Sequence, residues 1–238
     1  MRVNKDRLLV ALDVDDWSRA CELVGLLSGL VGGFKVGMRL YYRVGPEAVA
    51  YLRGKAPVIF ADLKLHDIPS TVAGGVRALT SQGATLVNVH AAGGREMMRA
   101  AREAASTEAL HLGVVPPKII AVTVLTSLDE RSLQEEVGIS GTVAGRVIAW
   151  ARLAQECGLD GVVASPLEAS EIREACGPDF MIVTPGVRPG GARTADQRRV
   201  MTPAAAVRAG ADYIVVGRPV LEAPDPVRAA QEIVASLG

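Results

Sequence analysis

"VIFADLKLHDIPSTVAGGVRALTSQG", residues 58–83, holds one complete strand–helix unit. "VIFADLKL" (58–65) begins as a short, buried strand, and "STVAGGVRALTSQG" (70–83) follows with helical spacing and Gly83 as its stop. The unit recurs on both sides. Before it stand "LLVALDV" (8–14) with "SRACELVGLL" (18–27), capped by Ser18, and "FKVGMRL" (34–40) with "PEAVAYLRG" (46–54), where Pro46 sits in the first turn. After it come "TLVNVHA" (85–91) with "REMMRAAREAA" (95–105) and "KIIAVTVLT" (118–126) with "TVAGRVIAWARLAQECG" (142–158). Three more follow: "GVVAS" (161–165) with "LEASEIREACG" (167–177), "FMIVTPGV" (180–187) with "PAAAVRAGA" (203–211), and "YIVVGR" (213–218) with "DPVRAAQEIVASL" (225–237). Eight consecutive β-α units predict one (β/α)₈ barrel domain, a TIM barrel spanning residues 1–238. A doubly wound open sheet is the alternative, but its glycine-rich first turn is missing from "LDVDDWS" (12–18).

Composition narrows the function classes. The formal net charge is zero, no long basic block occurs, and aromatics are 4% of residues, which argues against nucleic-acid and anionic-membrane partners. The N-terminal "MRVNKDRLLVALDV" meets Asp13 after a very short apolar run, so it reads neither as a signal peptide nor as a membrane span. Cys21, Cys157 and Cys176 are odd in number and lack C-x-x-C spacing. They fit a reducing cytoplasm better than a disulfide framework or a zinc site.

The strand in 58–65 carries charges where a core strand should carry none. Side chains alternate along a strand, so Asp62 and Lys64 point the same way, into the mouth of a barrel; Asp67 lies beyond, in the loop. Asp13 ends the first strand and Lys35 sits on the second, so the charges of three neighbouring strands converge. A salt-bridge network stabilising the rim is one explanation. Chemistry is the other. A lysine flanked by carboxylates is a placed proton donor, and Asp62 beside it repels an anionic substrate group. At an effective dielectric near 20, two unit charges about 4 Å apart repel by about 4 kcal/mol. A group that departs as neutral CO₂ escapes that repulsion, so D-x-K suits decarboxylation followed by protonation of a carbanion.

Phosphate recognition is signalled separately. The loops after strands seven and eight are the usual phosphate site of a barrel, and they carry Gly186 with Arg188 and Gly217 with Arg218. The long loop "RPGGARTADQRRV" (188–200) reads as an anion-gripping lid, with a solvated surface loop as the alternative.

Together these segments resemble the orotidine 5′-phosphate decarboxylase family. "LLVALDV", "FKVG", "FADLKLHDIPST", "VTVLTS", "GLDGVVASPLE", "TPGVRP", "DQRRVMTP" and "YIVVGRPV" follow in the family's order across almost the whole chain, and D-x-K-x-x-D-I-P is the most specific of them. The resemblance implies a cytoplasmic homodimer that converts orotidine 5′-phosphate to UMP and CO₂, the last step of de novo pyrimidine nucleotide synthesis, with no metal and no organic cofactor. It implies Lys64 as proton donor to C6 and Asp62 against the substrate carboxylate. Lys35 and Asp13 would hold ribose hydroxyls and complete the charge network. Asp67 and Thr71 would reach the partner subunit's site, with Ile68 lining it. Thr126 with Ser127 would contact the pyrimidine, and Arg188, Gln197, Gly217 and Arg218 would hold the phosphate and the closed lid. Ser70 departs from the family's usual Asn.

Two other readings compete. Metal-dependent sugar-phosphate decarboxylases and aldolases of the same barrel also carry D-x-K-x-x-D, although "HDIPST" and "TPGVRP" favour the nucleotide enzyme. A non-catalytic nucleotide-binding barrel would keep Arg188, Gly217 and Arg218 but has no need of Asp62 and Lys64. The three histidines are isolated and predict no metal site: His66 is expected to pack beneath its loop, His90 to hydrogen-bond at the barrel mouth and His111 to lie on the surface.

Overall fold

Each predicted strand forms, and each pairs in parallel with the next in sequence. They are β1 (Leu8–Ala11), β2 (Gly33–Gly37), β3 (Val58–Leu65), β4 (Leu86–His90), β5 (Lys118–Val122), β6 (Gly161–Val163), β7 (Met181–Thr184) and β8 (Tyr213–Val216). β8 pairs back onto β1 and closes an eight-stranded parallel barrel. The structure is a computed structural model and describes residues 3–187 and 201–238. Arg188 and Gln197, and with them most of the expected lid, lie outside the described residues.

Helices surround the barrel: α1 (Trp17–Leu27), α2 (Met38–Val44), α3 (Glu47–Ala50), α4 (Pro69–Gln82), α5 (Gly94–Leu112), α6 (Val143–Glu156), α7 (Ala169–Cys176), α8 (Pro203–Arg208), α9 (Arg218–Leu221) and α10 (Pro226–Ala235). Their apolar faces pack on the outward side chains of the strands. Leu23, Val24 and Leu27 of α1 are buried against the layer that holds Leu8 and Val10 of β1. Each such side chain stabilises the fold by about 1.5–3 kcal/mol. The inward side chains form a second, smaller core, with Leu9, Phe60, Leu86, Ile120, Val183 and Val215 filling the barrel. Phe60 therefore sets the phase of β3: by period two, Asp62 also faces inward, directly above an apolar plug.

The strands are shorter than the apolar runs predict. β1 stops at Ala11, which leaves Asp13 in the loop beyond it, and β5 stops at Val122, which leaves Thr126 in a loop. β2 stops at Gly37, because "MRL" (38–40) already belongs to α2. One ladder bond continues past each of β1 and β5, from the Leu12 N–H to the Lys35 carbonyl at 2.9 Å and from the Thr123 N–H to the Val163 carbonyl at 3.1 Å. The cap of α1 is also different from the expected Ser18. The Asp16 carboxylate accepts from the backbone N–H groups of Ser18 and Arg19, at 3.1 and 3.3 Å, and Ser18 lies inside the helix. A carboxylate is the better acceptor at a helix N-terminus, since it also meets the dipole favourably. Gly83 ends α4 as expected, with a left-handed φ of 93°.

At the N-terminal rim, aspartates stitch strands together. Asp160, just before β6, accepts the Ile119 N–H of β5 at 2.8 Å and pairs with Arg102 and Lys118. Asp212, just before β8, accepts the Ile182 N–H of β7 at 2.9 Å and pairs with Arg173. This end of the barrel is a structural seam.

Close strand contact leaves no room for a side chain at Gly33. A Cβ there would sit 2.0 Å from the Val58 carbonyl oxygen, a backbone atom of the neighbouring strand. Gly33→Ala is expected to lower the unfolding free energy by about 1–3 kcal/mol, read as a reduced urea midpoint. An unchanged midpoint would show that β2 and β3 can part at no cost.

Candidate active site

Beyond the C-terminal ends of the strands lies a cavity of about 940 Å³. Four charged side chains stand in an alternating row along it. The Lys64 Nζ donates to Asp62 Oδ1 at 2.7 Å, Asp62 Oδ2 lies 3.3 Å from Lys35 Nζ, and Lys35 Nζ donates to Asp13 Oδ1 at 3.0 Å. β3 supplies Lys64 and Asp62, β2 supplies Lys35, and the loop after β1 supplies Asp13. Burial tends to discharge both of these groups, and the side chains of Lys35 and Asp62 are only 10% and 13% exposed. The pairing outweighs burial. Lys35 is held above the usual lysine range because Asp62 and Asp13 offset its desolvation. Asp62 is held below the usual carboxylate range because Lys35 and Lys64, with hydrogen bonds from Lys64 and Asn88, offset its own. The buried pair at the centre of the row, Lys35 and Asp62, is thus charged at neutral pH.

Asp62 sits between two lysines, so within one chain Lys64 is not the residue flanked by two carboxylates. Asp67 is exposed, and its Oδ1 accepts the N–H of Ile68 at 2.6 Å. Ile68 is 65% exposed, and Thr71 and Ser127 are exposed as well. None of these four is among the described residues lining the cavity. Thr126, Gly186, Gly217 and Arg218 do line it. Arg218 is the first residue of α9, immediately after the β8 loop. His66 does not pack beneath its loop: it is exposed, its ring 5.2 Å from that of His90. Among the described residues no cluster of His, Cys, Asp and Glu side chains is arranged to hold a metal ion.

Three contributors went unread in the sequence. Gly37 leaves room for the row, since a Cβ there would lie 2.8 Å from both Asp13 Oδ1 and Lys35 Nζ. Arg39 anchors the loop after β1: its guanidinium donates to the Asp13 carbonyl at 3.2 Å and to the Asp15 carboxylate at 2.8 Å. Asn88 donates from Nδ2 to Asp62 Oδ1 at 2.6 Å. Charge or flexibility could have flagged Arg39 and Gly37 only with the strand register in hand.

Comparison with known proteins identifies the family. Residues 6–233 match the Orotidine 5′-phosphate decarboxylase / HUMPS family. The chain belongs to that family. It is 56% identical over 233 residues to an orotidine 5′-phosphate decarboxylase from Moorella thermoacetica, covering 98% of this chain and 92% of the relative. It is 47% identical to the enzyme of that name from Syntrophomonas wolfei, covering 98% of both chains. The crystal structure of orotidine 5′-phosphate decarboxylase from Lactobacillus acidophilus superposes with a TM-score of 0.85 at 37% identity, covering 97% of this chain and 98% of that one.

His90 provides a pH test of the site's surroundings. Burial, and then the nearby His66 and Lys64 charges, push its imidazole down from an ordinary value near 6.5 to about 4. Between those values the unfolded chain binds a proton that the folded chain refuses. Stability is therefore expected to fall as the pH drops from about 6.5 to about 4, and His90→Gln should flatten that slope. Urea midpoints measured across this range decide it; equal slopes in the two proteins would contradict the assignment.

Proposed function

We propose that this chain decarboxylates orotidine 5′-phosphate to UMP and CO₂. The observation that carries the reading is the Lys64–Asp62–Lys35–Asp13 row, with its central Lys35–Asp62 pair buried and charged, lining a cavity that Gly186, Gly217 and Arg218 also line. The relatives that bear the decarboxylase name favour it over the sugar-phosphate enzymes of the same barrel. A purely nucleotide-binding barrel has no use for an ammonium held against a buried carboxylate.

In this reading the phosphate binds at Gly217 and Arg218, with Arg188 and Gln197 contributing, and Thr126 and Ser127 meet the pyrimidine. Lys35 and Asp13 hold the ribose hydroxyls. That pose lays the substrate carboxylate against Asp62. The C6–carboxyl bond breaks, CO₂ leaves neutral, and the electron pair stays on C6. The Lys64 ammonium stabilises that pair electrostatically and then delivers its proton to C6; the neutral amine regains a proton from solvent. Repulsion between Asp62 and the substrate carboxylate, about 4 kcal/mol at 4 Å and an effective dielectric of 20, vanishes as CO₂ departs. Preorganised charge that costs no reorganisation during the reaction supplies the remaining stabilisation. No metal or organic cofactor takes part.

The exposed positions of Asp67, Ile68 and Thr71 fit a cytoplasmic homodimer in which these residues complete the partner's site. In a single chain they are exposed and are not among the described residues lining the cavity, and Ile68 presents an apolar side chain to solvent.

Turnover is read as loss of substrate ultraviolet absorbance. The EDTA-treated wild type is expected to retain activity, whereas Lys64→Ala should lose about 10³-fold or more in kcat with an unchanged circular dichroism spectrum. Near-wild-type kcat in Lys64→Ala would overturn its role.

The composite site has its own test. Inactive Lys64→Ala and Asp67→Asn proteins, mixed equally under subunit exchange, should recover about a quarter of wild-type sites, because half the dimers are mixed and each has one intact site. Mixed dimers verified by mass spectrometry yet inactive would place Asp67 in its own subunit's site.

A further inference from the structure

Asn88 is fully buried at 0% exposure in the middle of β4. Its neighbours Val87 and Val89 pack outward against the helices, so its side chain turns into the barrel. A buried amide is costly unless its donor and its acceptor are both satisfied. Here Nδ2 donates to Asp62 Oδ1 at 2.6 Å, and Oδ1 accepts the backbone N–H of Lys64 at 2.9 Å. The two bonds fix which way the amide faces. Reversed, it would aim its oxygen at a carboxylate and its NH₂ at an N–H.

The partner segment is irregular at the same place. β3 and β4 are in register at Ala61–Val87, and the next paired residues are Leu65 and Val89. β3 therefore bulges over 62–64, opposite the single residue Asn88. Within the bulge, Lys64 has φ 51°, the one positive φ among the described non-glycine residues. A left-handed lysine is sterically disfavoured and persists only where its surroundings hold it. The Lys64 N–H has left the backbone ladder, and a side-chain oxygen has replaced the strand carbonyl as its acceptor.

We infer that Asn88 is a positioning residue for the reaction: one amide clamps the Asp62 carboxylate and the Lys64 backbone together, and so sets the ammonium at its working distance in the cavity. Its oxygen holds the left-handed turn that points the Lys64 side chain inward. Its NH₂ takes one lone pair of Asp62 Oδ1 and leaves the carboxylate oriented toward both lysines. The inference rests on the decarboxylase reading and assigns a role to a residue that touches no substrate.

Asn88→Asp and Asn88→Ala test it. The charged and titratable groups facing position 88 are Asp62 and Lys64 on β3, Lys35 beyond Asp62 on β2, and His90 two residues along β4; β5 presents the apolar Ile120 opposite. An ionised aspartate at 88 still accepts from the Lys64 N–H but repels Asp62. Protonated, it can donate to Asp62 as the amide does, and two carboxyls this close share a proton well above the ordinary carboxyl range. Asn88→Ala should lower kcat about 100-fold while KM changes by less than about threefold. Asn88→Asp should be similarly slow near pH 8 and recover at least about tenfold as the pH falls to about 5.5, a limb missing from the profiles of the wild type and Asn88→Ala. A residue with only a structural role would change stability and leave that profile alone. Wild-type kcat in a folded Asn88→Ala overturns the inference, and so does an Asn88→Asp profile parallel to wild type. If Asn88→Ala does not fold, the isosteric Asn88→Asp decides alone. A wild type that fails to turn over orotidine 5′-phosphate in the same assay overturns the decarboxylase reading itself, which separates the two failures.

Discussion

The carboxylate of Asp62 is buried over an apolar plug, and the rest of the site is organised by what keeps it charged there. An unpaired ion in that position would cost several kcal/mol. Lys35 and Lys64 offset this from opposite sides, and Asn88 fills a remaining lone pair. Each partner in turn makes a demand. Lys35, itself buried, needs Asp13, and the Asp13–Lys35 pair needs the space left by Gly37. Lys64 needs a left-handed backbone, which breaks the β3–β4 register. Strain and charge are thus concentrated at one end of the barrel, around the carboxylate of Asp62.

The two rims of the barrel use charge differently. At the N-terminal rim, Asp160 and Asp212 accept backbone N–H groups of neighbouring strands and pair with arginine or lysine. Those carboxylates have their hydrogen-bonding capacity spent on the fold. At the C-terminal rim, the lysines and carboxylates of the charged row pair with one another and line the cavity. The division follows from topology. Every strand of a parallel barrel delivers its C-terminal end to the same face, so loops can vary there without disturbing the ladder.

Much of this was legible beforehand, for a reason that particular residues illustrate. Alternation along "VIFADLKL" places Phe60 and Asp62 on one side, and the structure has both facing inward. Lys35 lies opposite Phe60 in the ladder, one step from Asp62. Gly83 ends its helix left-handed because no other residue takes that φ so cheaply. Such signals are local and survive without coordinates. The errors were local signals overruled by competition: Ser18 is a fair cap, but Asp16 two residues earlier is a better one. Likewise, "FKVGMRL" reads as one strand, but its last three residues join a helix instead.

The amino-acid sequence by itself determined the number and order of the β-α units, the inward face of β3, and which strand ends bear charge, since these depend on periods of two and 3.6 within one segment. Only the tertiary structure decided where each strand leaves its ladder, that Lys64 would be left-handed, and that Asn88 and Gly37 would serve the charged row. Those facts depend on register between strands distant in sequence. Asn88 lies 26 residues from Asp62, and in "TLVNVHA" it reads as an ordinary polar residue in a strand. Its meaning appears only when the bulge in β3 puts a carboxylate and an orphaned N–H in front of it.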